Sequence, residues 1–159
     1  MTCEQERRFA PENPTYEDVE GYAIELAGQI AQSGFKPDYV IGISRGGWFP
    51  ANFLSYLMDW TPLASIDVKR TAGNKGRIMG DNSHINPAVL KGRNVLLVED
   101  MLETGKSAAA AEEFLKQHGA TVKLACFFAR DISEVEPDFV VQGGVANEVF
   151  FPWERFRKK

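Results

Sequence analysis

The stretch Asn94-Val95-Leu96-Leu97-Val98-Glu99-Asp100-Met101-Leu102-Glu103-Thr104-Gly105-Lys106-Ser107 decides how this chain is read. Asn94 to Glu99 has the unbroken apolar pattern of a strand buried on both faces, and an alanine-rich helix follows from Lys106 to Gln117, closing near Gly119. Between them lies a short acidic loop. Backbone amides at the start of a helix, with the Thr104 and Ser107 hydroxyls, can receive a phosphate, and Gly105 has no Cβ to obstruct its approach. Glu99 and Asp100 set two carboxylates beside that phosphate. They would repel an anion unless they bind its hydroxyls or a divalent cation. The segment therefore reads as a site for a sugar phosphate together with a divalent metal ion.

Working outward, Tyr39 to Ile43 is a second short strand pattern. It stops at Ser44-Arg45-Gly46-Gly47 and is followed by a helical stretch from about Trp48 to Met58, with Pro50 tolerable in the first turn. An arginine beside two glycines suits a diphosphate, because the planar guanidinium pairs with oxygens while glycine amides approach closely. An ATP-binding Walker loop is not present. Gly105-Lys106-Ser107 would need a further glycine at position 100, which is Asp.

The rest of the chain fits the same layout. Thr15 and Asp18 have capping-box spacing, and Val19, Ala23, Leu26, Ala27 and Ile30 recur at helical spacing up to Ser33-Gly34. Leu63 to Val68, Thr121 to Ala129 and Phe139 to Val141 are further strand candidates, with Val149 to Phe151 a last one. Arg70 to Gly92 is polar and irregular, as functional loops or lids are. The expected fold class is α/β, a mostly parallel, Rossmann-like sheet flanked by helices in a single domain over residues 1–159. In such sheets ligands bind outside the carboxyl ends of the strands, so both glycine turns open on one edge.

Composition narrows the function classes. The 159 residues are 44% hydrophobic and 25% charged, ordinary values for a globular chain. A net charge of -4 gives no global basic field for polynucleotides, and the local basic stretches Lys69 to Arg77 and Arg155 to Lys159 read first as solvated. Cys3 and Cys126 sit in unlike contexts and imply no disulfide framework. His84 and His118 are far apart and no Cys-x-x-Cys exists, which argues against a histidine or cysteine metal cluster. No apolar run approaches a membrane span and no signal-peptide pattern begins the chain, so a cytoplasmic setting is expected.

The string from Val95 to Ser107 resembles the 5-phosphoribosyl 1-pyrophosphate (PRPP) signature of type I phosphoribosyltransferases. Ser44-Arg45-Gly46-Gly47-x-x-Pro50-Ala51, Phe128-Ala129-Arg130, Asp138-Phe139-Val140-Val141 and Phe151-Pro152-Trp153-Glu154 extend the likeness toward the prokaryotic xanthine-guanine and hypoxanthine enzymes. That resemblance implies transfer of a phosphoribosyl group from PRPP to a purine base, a 6-oxopurine first, with release of pyrophosphate. It assigns PRPP to Glu99, Asp100, Met101, Leu102, Glu103, Thr104, Gly105, Lys106 and Ser107, with Glu99 and Asp100 on the ribose hydroxyls and Mg²⁺. Pyrophosphate falls to Ser44, Arg45, Gly46, Gly47 and Lys69. Asp100 and Glu103 become the candidate catalytic residues, Glu103 near the purine N7. Arg70 to Gly92 takes the place of a mobile catalytic loop, and a small C-terminal hood closes over the base.

Two departures concern the base. Arg130 stands where the subgroup uses a lysine against the 6-oxo group, and Glu148 falls where an aromatic ring usually stacks, with Val149 and Phe150 following. Trp153 reads first as core packing. Two other readings share the PRPP site: a PRPP- or nucleotide-sensing protein without turnover, and an enzyme for a non-purine acceptor. The family resemblance implies a homodimer or homotetramer.

Overall fold

The computed structural model describes residues 7–70, 76–78 and 83–156. Its strands are β1 (Tyr39–Ser44), β2 (Leu63–Arg70), β3 (Gly76–Ile78), β4 (Asn94–Leu102), β5 (Thr121–Arg130) and β6 (Phe139–Val145). They form one sheet in the order β3-β2-β1-β4-β5-β6. β3 runs antiparallel to β2 and every other pair is parallel. Helices α1 (Tyr16–Ser33), α2 (Trp48–Leu57) and α3 (Lys106–Gln117) cover the sheet, which is the expected α/β class.

Burial on both faces explains the unbroken apolar strands. Val40, Leu96, Val98, Ala125 and Phe127 join α1 and α2 in one buried cluster, while Ile41, Ile43, Val95, Leu97, Leu124 and Cys126 join α3 in another. Neighbouring positions on one strand thus serve opposite faces. α1 opens on the anticipated capping box: the Asp18 amide donates to Thr15 Oγ1 at 3.1 Å, and the Thr15 amide donates to Asp18 Oδ2 at 2.8 Å. It closes at Gly34, where φ is 76°.

Several elements differ from the sequence reading, β6 among them, which runs on from Val141 to Val145. β4 continues past Glu99, because Met101 and Leu102 pair with Phe128 and Ala129 of β5 and bury their side chains. Val149 to Phe151 is not a strand. Ala146 and Phe150 donate their amides to the carbonyls of Arg8 and Glu12 in an irregular N-terminal segment, so no strand partner lies beside them. Within Arg70 to Gly92, β3 pairs with β2, a 3-10 turn spans Pro87–Val89, and the His84 amide donates to the Ser65 carbonyl. Positions 71–75 and 79–82 of the expected lid lie outside the described residues. Among the described residues no helix is long and apolar enough to cross a membrane.

α2 meets the sheet through Gly47. A Cβ there would run into the carbonyl oxygen of Val98 and the backbone of Ile43. Gly28, on the exposed side of α1, faces nothing within 4 Å. Gly28→Ala should therefore raise stability by about 0.5–1 kcal/mol, as expected for a helix-interior glycine. Gly47→Ala should lower it by about 1–3 kcal/mol through overpacking. Denaturant unfolding of both variants beside the parent checks the opposite signs.

Candidate active site

β1 and β4 are hydrogen-bonded neighbours, and from them the chain order proceeds outward in opposite directions, to β2 on one side and to β5 and β6 on the other. At such a reversal the connections leaving the two carboxyl ends diverge and open a crevice. Both glycine turns lie there. After Ser44 the chain turns through Arg45, Gly46 and Gly47, and the amides of Trp48 and Phe49 donate back to the carbonyls of Arg45 and Gly46 at 3.2 and 3.4 Å. Arg45 is exposed, and among the described residues its guanidinium has no carboxylate partner. A Cβ at Gly46 would collide with the Asp100 carboxylate. The turn thus rests directly on the acidic end of β4. Lys69 lies two residues beyond Asp67, which pairs with Ser44, so it is exposed at the same edge of the sheet.

Glu99 and Asp100 interrupt the buried run of β4. Glu99 Oε1 accepts the Asp100 amide at 3.1 Å. Asp100 Oδ1 accepts the Met101 amide at 2.7 Å, and its Oδ2 accepts the Trp153 indole N–H at 3.2 Å. Burial pushes Glu99 well above the usual carboxylate range, and the Asp100 charge pushes it further. Asp100 is raised to about 6 by burial, although the Met101 amide and the Trp153 indole pull it back. No lysine or arginine among the described residues forms an ion pair with either acid. Adjacent half-buried carboxylates without a cation suit a hard divalent ion with oxygen ligands. No group of three or more histidines, cysteines or acids that could hold a metal ion occurs among the described residues. Glu99 and Asp100 therefore fit Mg²⁺ as part of a shell that substrate hydroxyls and water would complete.

The loop Glu103-Thr104-Gly105 leads into α3. Gly105 has φ 81°, and a Cβ on it would press on Ser133 Oγ and Val135 from the β5–β6 connection. That connection is fastened by the Glu134 amide donating to the Thr104 carbonyl at 2.9 Å. A cavity of about 80 Å³ lies here, lined by Glu99 and by residues from Met101 to Ala108. Its size suits one phosphate, and the first amides of α3 lack partners within the helix. Met101 and Leu102 are buried, and both also line this cavity.

A larger cleft of about 410 Å³ adjoins it, lined among others by Asp100, Glu103, Thr104, Glu148, Phe150 and Glu154. Glu148 is exposed at its rim, Val149 is buried and Phe150 is half-buried. Arg130 stands behind Glu103 and not in the cleft wall. Its NH1 donates to Glu103 Oε2 at 2.9 Å, its NH2 donates to the Ala146 carbonyl at 3.3 Å, and its buried Nε has no partner. Burial raises Glu103, Arg130 holds it down, and Glu148 and Glu154 add to the rise.

Trp153 packs against the core, as its sequence context suggested, and makes a polar contact that the sequence did not announce. It is half-buried between Phe49 and Phe151, yet its N–H reaches Asp100. The available signal was chemical, since an indole N–H taken out of water needs an acceptor.

The solved purine phosphoribosyltransferase of Pyrococcus horikoshii Ot3 is 34% identical to this chain, with a TM-score of 0.80 over 92% of this chain and 96% of that one. The orotate phosphoribosyltransferase of Oceanobacillus iheyensis is 33% identical over 93 residues, 58% of this chain and 43% of that protein. The ribose-phosphate pyrophosphokinase of Shewanella oneidensis is 34% identical over 104 residues, 65% of this chain and 31% of that protein. The chain spans less than half the length of these two curated relatives. Residues 15–156 match the phosphoribosyl transferase domain as a family. With the parallel sheet and the two glycine turns at its switch point, that match settles the kinship: the chain belongs to the phosphoribosyl transferase domain family.

Proposed function

We propose that this protein transfers the phosphoribosyl group of PRPP to a purine base, a 6-oxopurine first, releasing pyrophosphate in nucleotide salvage. The observation that carries the reading is the placement of the Glu99 and Asp100 carboxylates between two anion-receptive backbones, the cavity at the start of α3 and the Arg45–Gly47 turn. A ribose with a phosphate at one end and a diphosphate at the other presents its hydroxyls between two anions. The relatives named above differ in the acceptor but share a ribose phosphate in their names, which supports PRPP more firmly than it supports the base. The purine assignment rests on the Pyrococcus relative, whose likeness runs over 92% of this chain.

In this reading the bond from ribose C1 to the diphosphate oxygen breaks with its electron pair on oxygen, and a purine nitrogen forms the new bond to C1. Arg45 and the amide of Gly46 receive the departing charge, while the Gly47 amide is already donated to the Ile43 carbonyl at 2.9 Å. Mg²⁺, held by Glu99 and Asp100 together with PRPP, would supply further positive charge to the diphosphate. Glu103 lies in the wall of the cleft where the base enters, and its raised pKa equips it to take the proton that the base nitrogen gives up. Arg130 acts through Glu103, whose Oε2 accepts its NH1 at 2.9 Å, and Phe150 offers a ring beside the base.

Incubation with PRPP, MgCl₂ and hypoxanthine, xanthine, guanine, adenine or orotate in turn should release pyrophosphate with a purine. Absence of release with every purine would refute the assignment, and thermal stabilisation by PRPP without consumption of any base would point to sensing. Asp100→Asn should lower kcat/KM by about a hundredfold or more, the scale of a lost charge-positioning group, in steady-state assays.

The raised acids also set a pH dependence. A carboxyl whose folded pKa is raised binds its proton more tightly folded than unfolded, so its favourable contribution to stability is complete below 3.8 and is lost as pH climbs through about 6. A cation needs the deprotonated acids. MgCl₂ with PRPP should accordingly raise the melting temperature at pH 7.5 and do so far less at pH 5, as thermal-shift measurements at both pH values would reveal.

A further inference from the structure

We infer that Trp153 is a positioning residue for the PRPP site, its indole N–H fixing the Asp100 carboxylate that faces the ribose. The inference rests on the proposed PRPP site. The indole cannot swing, because it lies parallel between two rings: Phe49 at 4.4 Å with 4° between planes, and Phe151 at 4.8 Å with 5°. Phe151 is anchored in turn, 6.0 Å from Phe127 and 6.1 Å from Phe128 in the core of β5. Its amide donates to Glu154 Oε2 at 3.0 Å, which closes the 3-10 turn that carries Trp153. The direction of the N–H is thereby set by the core, and it meets Asp100 Oδ2 at 3.2 Å.

Asp100 has no slack to accommodate an error. Oδ1 is held by the Met101 amide at 2.7 Å, and Gly46 closes the remaining side so tightly that a Cβ there would overlap the carboxylate. Two donors from different parts of the chain thus define the carboxylate plane. Phe49, the other face of the stack, lies in the first turn of α2, immediately after the Arg45–Gly47 turn. One indole therefore registers the diphosphate turn and the ribose carboxylate against each other. Simple packing would need the rings but not the hydrogen bond.

The test uses the intact protein and titration calorimetry with PRPP and MgCl₂. Trp153→Phe keeps an aromatic ring in the stack and removes only the donor. It should weaken PRPP binding about tenfold, equivalent to about 1.4 kcal/mol, raise the KM for PRPP in step, and leave the KM for the base within about twofold. Phe49→Leu opens the stack while retaining the N–H, and should lower the melting temperature with a smaller loss of PRPP affinity. In a Trp48→Phe/Trp60→Phe background, where Trp153 is the sole tryptophan, its emission should shift on titration with PRPP and MgCl₂ at the calorimetric midpoint. Unchanged PRPP affinity in Trp153→Phe, or flat emission from Trp153 while calorimetry records binding, would overturn the positioning role. Failure of the parent protein to bind PRPP at all would overturn the site itself and this role with it.

Discussion

The Arg45–Gly47 turn lies against the end of β4 with no space between them for a side chain, and the site depends on that contact. Gly47 meets the Val98 carbonyl and Gly46 meets the Asp100 carboxylate. The approach is possible because β1 and β4 are paired in register, Gly42 beside Val98, so the segments leaving both strands begin at the same level. Amides that attract anions and carboxylates that repel them are brought together by backbone geometry. That combination suits a ligand carrying both phosphates and hydroxyls.

Such an arrangement conflicts with stability. Glu99 and Asp100 are held partly out of water with like charges adjacent, and the folded chain responds by favouring their protonated forms. The surrounding structure bears this cost through the strands on either side, whose apolar residues are buried on both faces. The aromatic series Phe49, Trp153 and Phe151, continuing to Phe127 and Phe128, adds a stiff frame next to the charged pair. Charge that would otherwise be solvated and mobile is thus presented in one orientation.

What could be read from the sequence was whatever is settled locally. The apolar run of β4, the alanine-rich α3, the glycine turn after β1 and the capping box of α1 each announce themselves within a few residues. The continuation of β4 through Met101 and Leu102 could not be read this way, since it comes from pairing with Phe128 and Ala129. Val149 to Phe151 has a strand's composition, but lies against an irregular segment instead of a strand. The same holds at the site. The positions of the acids and the arginine were evident, but that Arg130 turns to Glu103, and Trp153 to Asp100, depends on contacts between distant segments that no spacing rule encodes.

The irregular N-terminal segment has an effect of its own. Asn147 accepts the amide of Ala10 and donates to its carbonyl across 137 positions of chain, and Arg8 bridges to Val145. The segment carrying Glu148, Phe150 and Trp153 is therefore secured by residues from the opposite end of the sequence. Closing so long a loop costs conformational entropy, which the contacts at its two ends offset. The cavity at the start of α3, made by β4, α3 and the connection after β5, is lined by none of the described N-terminal residues. The two parts of the crevice thus differ in what holds them, one resting on the central sheet and the other on contacts between distant ends of the described chain.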